Sequence, residues 1–213
     1  VFNWTLINGQ WINVGSDIKT VFGPLFPGAV KKQGSTQAWD ASVYSVDDFG
    51  IAKLFPIGSK LYFRIPNTSS LQGTGWGEFI IGLNSDPASS ESFSDIDAGI
   101  HLNSSSTIIK YINGLSTASS STVFPDEWLY FEIGTADVIL KRAQDNSVIF
   151  TYTGKGGIPL GIDSSFFEQN SYVDGISLVK PNGKAQPVRL KIKESSGVGN
   201  ILIMSHPQAD ETI

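Results

Sequence analysis

The chain has 213 residues and a mass of 23.0 kDa, with 40% hydrophobic and 11% aromatic residues. That is enough apolar material for one packed core and excludes global disorder. Charged residues make up only 16%, and the net charge of −5 comes with no basic block that would grip a phosphate backbone, so nucleic acid is not an expected partner. Cysteine is absent, which removes disulfides, thiolate metal sites and cysteine nucleophiles together. The strongest apolar runs, such as Ile201-Leu202-Ile203-Met204, fall far short of the roughly 20 residues a spanning helix needs, and no membrane insertion is expected.

Taken in chain order, short β-branched and aromatic stretches alternate with Gly, Asn, Asp and Pro at all-β spacing. Asn8-Gly9 separates two such stretches (4–7 and 10–14) and predicts a first hairpin. Residues 16–37, with Pro24 and Pro27, read as an irregular connection. Residues 107–111 before Asn113-Gly114 predict another hairpin. So do residues 138–141 and 148–153, on either side of Gln144-Asp145-Asn146. Serine is crowded between Ser85 and Ser121, and these segments read as polar loops between strands. Residues 164–169 predict one short turn. Asn182-Gly183 predicts a last hairpin between residues 175–179 and 188–193, the second of which alternates apolar and basic residues like an edge strand with one wet face. No window of a dozen residues keeps a helical apolar stripe free of Gly or Pro.

From Trp39 onward the motifs fall in a familiar order: Trp39-Asp40-Ala41-Ser42-Val43-Tyr44-Ser45, Gly58-Ser59-Lys60-Leu61-Tyr62-Phe63-Arg64, Ile81-Gly82-Leu83-Asn84-Ser85-Asp86-Pro87, Asp95-Ile96-Asp97-Ala98-Gly99-Ile100 and Gly161-Ile162-Asp163-Ser164-Ser165-Phe166. Over residues 39–179 this series resembles the concanavalin A-like lectin and glucanase superfamily, in the form of the jelly-roll modules of phage tail, virion and bacterial surface proteins. The resemblance implies an all-β fold, a two-sheet antiparallel sandwich with terminal strand extensions. The expected division is an N-terminal hairpin and connection (1–36) packed on the main domain, the jelly roll (37–183), and C-terminal strands (184–213) that complete the sandwich or contact a neighbour.

Fold alone does not choose among sugar binders, hydrolases and structural modules. Glycoside hydrolysis needs two carboxylates placed across a sugar ring. The Glu-x-Asp-x-x-Glu strand common in hydrolases of the superfamily is not found here: Glu132-Ile133-Gly134-Thr135-Ala136-Asp137 has the wrong spacing. Asp95 and Asp97 share strand parity, and their expected role is to cap a loop or accept from backbone amides. His101 and His206 each stand alone, which argues against a serine-nucleophile site or a zinc site. Calcium through Asn84, Asp86, Asp95 and Asp97 is the one metal reading left open, with Asp95 and Asp97 as its weak candidates.

Sugar binding asks for an aromatic face and a few groups that fix hydroxyls. Trp76, flanked by glycines in Gln72-Gly73-Thr74-Gly75-Trp76-Gly77-Glu78, suits either a projecting platform or an edge tryptophan over the core. Asn84, Asp86 and Tyr111 complete the candidate set, while Trp39 and Trp128 read as core or edge packing. The expectation is a non-catalytic module without a cofactor, located on a virion or in an extracellular, cell-surface setting, that recognises host or environmental glycans. The alternative is a building block of a fibre, tail or capsid that contacts neighbouring copies or other virion or surface proteins through its terminal strands.

Overall fold

A computed structural model describes residues 29–32, 38–39, 41–47, 51–65, 78–87, 93–103, 107–167, 171–178, 190–192 and 201–204. They form strands β1 (Ala29–Lys32), β2 (Ala41–Ser45), β3 (Lys60–Arg64), β4 (Phe79–Asn84), β5 (Ala98–Leu102), β6 (Thr107–Ile112), β7 (Leu115–Thr122), β8 (Trp128–Ile133), β9 (Val138–Arg142), β10 (Val148–Tyr152), β11 (Gly161–Phe166), β12 (Tyr172–Ser177), β13 (Leu190–Ile192) and β14 (Ile201–Met204). The one helical element among them is a 3-10 turn at Phe93–Asp95. The first sheet runs β10-β9-β8-β3-β12-β1-β14 and the second β13-β2-β11-β4-β5-β6-β7, with every pairing antiparallel. This is the two-sheet jelly-roll sandwich that the resemblance implies.

Strand parity builds the core between the layers. In β3 and β8, Leu61, Phe63, Leu129, Phe131 and Ile133 point inward, and the Phe63 and Phe131 rings stack with centroids 5.5 Å apart. The second sheet answers with Phe79, Ile81 and Leu83 of β4, Ile100 and Leu102 of β5, and Ile162 and Phe166 of β11. Each such side chain removed from water contributes about 1.5–3 kcal/mol. Two polar links cross the layers at the β10 edge. The Tyr152 hydroxyl donates to the Gly99 carbonyl at 2.6 Å, and Lys110 Nζ donates to the Thr151 carbonyl at 2.6 Å.

The hairpins at 107–122 and 138–152 form as the turn chemistry predicts. Asn113 and Gly114 have φ of 49° and 76°, the pair of positive angles a type I′ turn requires. The edge strand β7 carries a bulge: Ile109 faces Ser120 while Tyr111 faces Ser116, so residues 117–119 lie opposite Lys110 alone.

Five expectations meet a different outcome or none. Ser116, Ser119, Ser120 and Ser121, read as part of polar loops, lie in the edge strand β7, where a solvent-facing edge tolerates small polar side chains. Residues 164–169 were expected to turn, but residues 161–166 are β11, a central strand of the second sheet buried along its whole length. The alternation Ile162, Ser164, Phe166 outweighs the turn tendency of the serine pair. Asn182-Gly183 does not join a hairpin: β12 lies between β3 and β1 in the first sheet, whereas β13 pairs β2 at the edge of the second. Twelve residues (178–189) separate β12, which ends at Ser177, from β13, which starts at Leu190, long enough for the chain to change layers. Inside the supposed irregular connection, β1 pairs with both β12 and β14. The hairpin expected at 4–14 lies outside the described residues.

Candidate functional site

The outer face of the second sheet holds most of the residues singled out from the sequence. Across β11, β4, β5 and β6 the register places Asp163, Gly82, Gly99 and Tyr111 in one row, and Ser165, Ile80, His101 and Ile109 in the next. This face is covered. Ile96 seats its Cγ2 where a Cβ on Gly82 would approach to 2.6 Å, and Ile96, Ile80 and Tyr111 form a second small core with Trp39 and Phe93 packed against it. Trp39 touches Phe93, Phe167 and His101 at centroid distances of 5.0, 5.2 and 5.6 Å, and His101 Nε2 is hydrogen-bonded to Glu78 Oε1 at 2.6 Å.

On that face Asn84 and Tyr111 leave the sugar-binding set. Asn84 is fully buried; its Nδ2 donates to Asp163 Oδ2 at 2.9 Å and its Oδ1 accepts from the Asp86 amide at 3.0 Å. The Tyr111 ring is buried, its hydroxyl donates to the Gly114 carbonyl, and burial pushes the phenol up to about 12. A sugar can reach neither. Asp86 is exposed beside Asn84, and Trp76 lies outside the described residues.

Asp97 does accept from backbone, as expected: its Oδ2 takes the Ser85 amide at 3.0 Å and hydroxyl at 2.9 Å, while its Oδ1 pairs with Lys155 Nζ at 3.0 Å. Burial raises this carboxyl, but the Lys155 and Ser85 hydrogen bonds and the lysine charge outweigh it and hold Asp97 below the usual carboxylate range. Lys155 also donates to Asn113 Oδ1. An ammonium thus occupies the position that a cation bound by Asp97 would need. Asp95 ends the 3-10 turn. Among the described residues no group of three acidic or histidine side chains is gathered for a metal ion, so the calcium reading through Asn84, Asp86, Asp95 and Asp97 finds no assembled ligand set there.

The first sheet is built from similar residues with a different result. Where the chain turns into β8, a cavity of about 470 Å³ opens between Phe124, Pro125, Asp126, Glu127 and Trp128 on one side and Ala143 and Gln144 on the other. Pro125 presets φ, and Asp126 follows at φ 63°. With the Glu127 amide donating to the Phe124 carbonyl at 3.2 Å, this is the signature of a type II turn. Glu127 fastens it: Oε2 accepts from the Phe124 amide at 3.0 Å, and Oε1 is paired with Arg142, whose Nη2 donates to the Thr122 carbonyl at 2.8 Å. Phe124 is thereby held 61% exposed.

The floor is equally fixed. Trp128 packs on Tyr62, Tyr130 and Ala143, and the Ala143 amide donates to the Trp128 carbonyl at 2.8 Å. Tyr130 and Tyr62 are in contact at 4.9 Å, and burial holds both phenols above their ordinary value. The Tyr130 hydroxyl donates to Asn146 Oδ1 at 3.0 Å, and Asp145 accepts from the Ser147 amide and hydroxyl at 2.9 and 2.7 Å. This fixes the β9–β10 turn, on which Gln144 stands exposed. Asp126 pairs with Arg64 at 3.1 Å, the arginine side chain only 8% exposed and the carboxylate 46%.

Trp128 packs as the sequence predicts, while Phe124, Asp126 and Gln144 carry no sugar-binding expectation from the sequence and line the cleft. The signal was there in Phe124-Pro125-Asp126-Glu127-Trp128: a proline–aspartate turn with an aromatic on each side. A turn of that kind brings two rings to one mouth.

No family model and no curated protein matches the chain. Among solved structures, it is similar to a toad ovary galectin in complex with thio-digalactose, at 12% identity over 78% of this chain and 98% of that one, TM-score 0.34. It is similar also to an apo Crh5 transglycosylase, at 14% identity over 88% and 83%, TM-score 0.37. A third is LamA of Z. galactanivorans in complex with laminaritriose and laminaritetraose, at 9% identity over 82% and 85%, TM-score 0.36. The fold assignment rests on the strand order and register described above.

Proposed function

We propose that this chain is a non-catalytic carbohydrate-recognition module, acting at an extracellular or virion surface, and that it takes its ligand in the cleft between Phe124, Trp128 and Gln144. The observation that carries this reading is the cleft itself. It offers about 470 Å³ of space, two aromatic rings, and an amide and a carboxylate at its mouth, all on fixed turns. An aromatic ring covers the apolar face of a pyranose while amide and carboxylate groups bond its hydroxyls. A site already fixed in shape binds without the entropy cost of ordering loops.

The same geometry supports binding over bond cleavage. Hydrolysis needs one carboxyl that donates a proton and another that stays ionised. Here Asp126 and Glu127 are each engaged by a guanidinium, Arg64 and Arg142, so neither is placed as a donor. The rival role as an assembly block stays the second reading: β13 and β14 pair within this chain's own sheets but stand at their edges, each with one partner strand.

A glycan array followed by isothermal titration tests the reading. The folded protein is expected to bind at least one saccharide saturably, and Trp128→Ala is expected to weaken that binding at least about tenfold, the loss of one aromatic platform. Folded protein with no saturable ligand, or full affinity in the alanine variant, would overturn it.

A further inference from the structure

The charge exposed at the cleft mouth goes further than the presence of a sugar site: it selects among sugars. Two carboxylates and two guanidiniums lie here, so their formal charges cancel, but they are not equally reachable. The Asp126 carboxylate is 46% exposed, while its partner Arg64 is 8% exposed and lies beneath it. Glu127 and Arg142 are exposed to 11% and 23%, and they are turned to the Phe124 amide, the Thr122 carbonyl and each other. The most exposed of the four formal charges that a ligand entering between Phe124 and Trp128 meets is therefore the Asp126 carboxylate, and it is negative. Opposite stands Gln144, neutral, with donors and an acceptor.

From this arrangement we infer that the cleft is specific for uncharged saccharides and excludes acidic ones, uronates and other carboxylated sugars; the inference rests on the carbohydrate reading above. An ionised carboxylate accepts hydrogen bonds and cannot donate them, so Asp126 suits a pair of neighbouring hydroxyls, both donors. A sugar carboxylate in the same place brings two acceptors of like charge together, and repulsion is stronger at a half-shielded protein surface than in bulk water. The αL backbone of Asp126 fixes where that carboxylate stands, since the conformation is one that Asp and Asn adopt more readily than most side chains.

The test uses matched tetrasaccharides with glucose, galactose and mannose backbones, each in neutral form and oxidised at C6 to the uronate, titrated into the full chain at low and high ionic strength. For any backbone that binds, the neutral member is expected to bind at least about tenfold tighter at low salt, about 1.4 kcal/mol, with the gap narrowing at high salt as the repulsion is screened. Asp126→Asn keeps a side chain suited to the αL backbone and removes the charge; Gln144→Lys adds a cation on an exposed turn. Both are expected to shrink the gap by raising uronate affinity. Uronates that bind the unaltered chain as tightly as their neutral partners, or a gap indifferent to both substitutions, would overturn the inference while leaving the carbohydrate site standing. Failure of every pair to bind removes the site and the inference together.

Discussion

The outer faces of the two sheets use the same components, aromatic rings, carboxylates, amides and hydroxyls, yet one is filled and the other is open. On the second sheet the glycines Gly82 and Gly99 leave a trough, and the chain's own Ile96 lies in it with Phe93 and Trp39 around it. There Asn84 is turned to Asp163, and Asp97 to Ser85 and Lys155. On the first sheet the arginine pairs and the Glu127 clamp hold a turn upright, so that Phe124 projects and Asp126 keeps its carboxylate in water. The same interactions that close one face prop the other open. A site is recognised by the space its polar groups leave over, not by which groups it contains.

Three experiments sharpen that contrast or break it. The largest effect is expected from Gly82→Ala. The added Cβ would lie 2.5 Å from the Ala98 carbonyl oxygen and 2.6 Å from the Gly99 Cα, both backbone atoms in the adjacent strand. A loss of about 3 kcal/mol or more in urea denaturation is expected; a variant as stable as the parent means that the trough is looser than described. An intermediate effect belongs to Asp97. Its carboxyl sits lower in the folded chain than in the unfolded one, so its stabilisation is present above the unfolded carboxylate range and is lost as pH falls through the folded value. Denaturation midpoints taken from about pH 5 downward should therefore fall less steeply in Asp97→Asn than in the parent, and parallel curves would show that Lys155 and Ser85 do not hold the carboxylate. The smallest stability change is expected at the open face: Phe124→Ala should stay within about 0.5 kcal/mol of the parent while weakening saccharide binding several-fold. If stability drops instead, Phe124 is packing and the comparison between the faces fails.

The sandwich was legible in the sequence because hairpin chemistry is local. Asn113-Gly114 and the residues around Gln144 name their turns without help from distant contacts. The layer change between β12 and β13 was not, because Asn182-Gly183 advertises a hairpin that long-range pairing overrides. The site was read least well. Period-two alternation tells which face of a strand a residue occupies, and Asn84 and Tyr111 do face away from the main core. What alternation cannot tell is whether that face meets water, since the cover, Ile96, comes from the connection before β5 and reaches the trough only in three dimensions. Trp128 packs on the Tyr62–Tyr130 cluster as expected from the sequence, and it lines the cleft as well.

The Tyr152 hydroxyl, reaching through the apolar layer to the Gly99 carbonyl, acts as a rivet between the sheets. Sliding one layer past the other by a single residue would strand a donor and an acceptor in a dry interior, at about 1–3 kcal/mol each. Half-slipped alignments are thereby penalised, and the stacking has one resting position. The β9–β10 hairpin, which carries Gln144 at one end and Tyr152 at the other, takes its seat from that rivet, so the width of the cleft beside Gln144 is set partly by a bond formed on the far side of the molecule's interior.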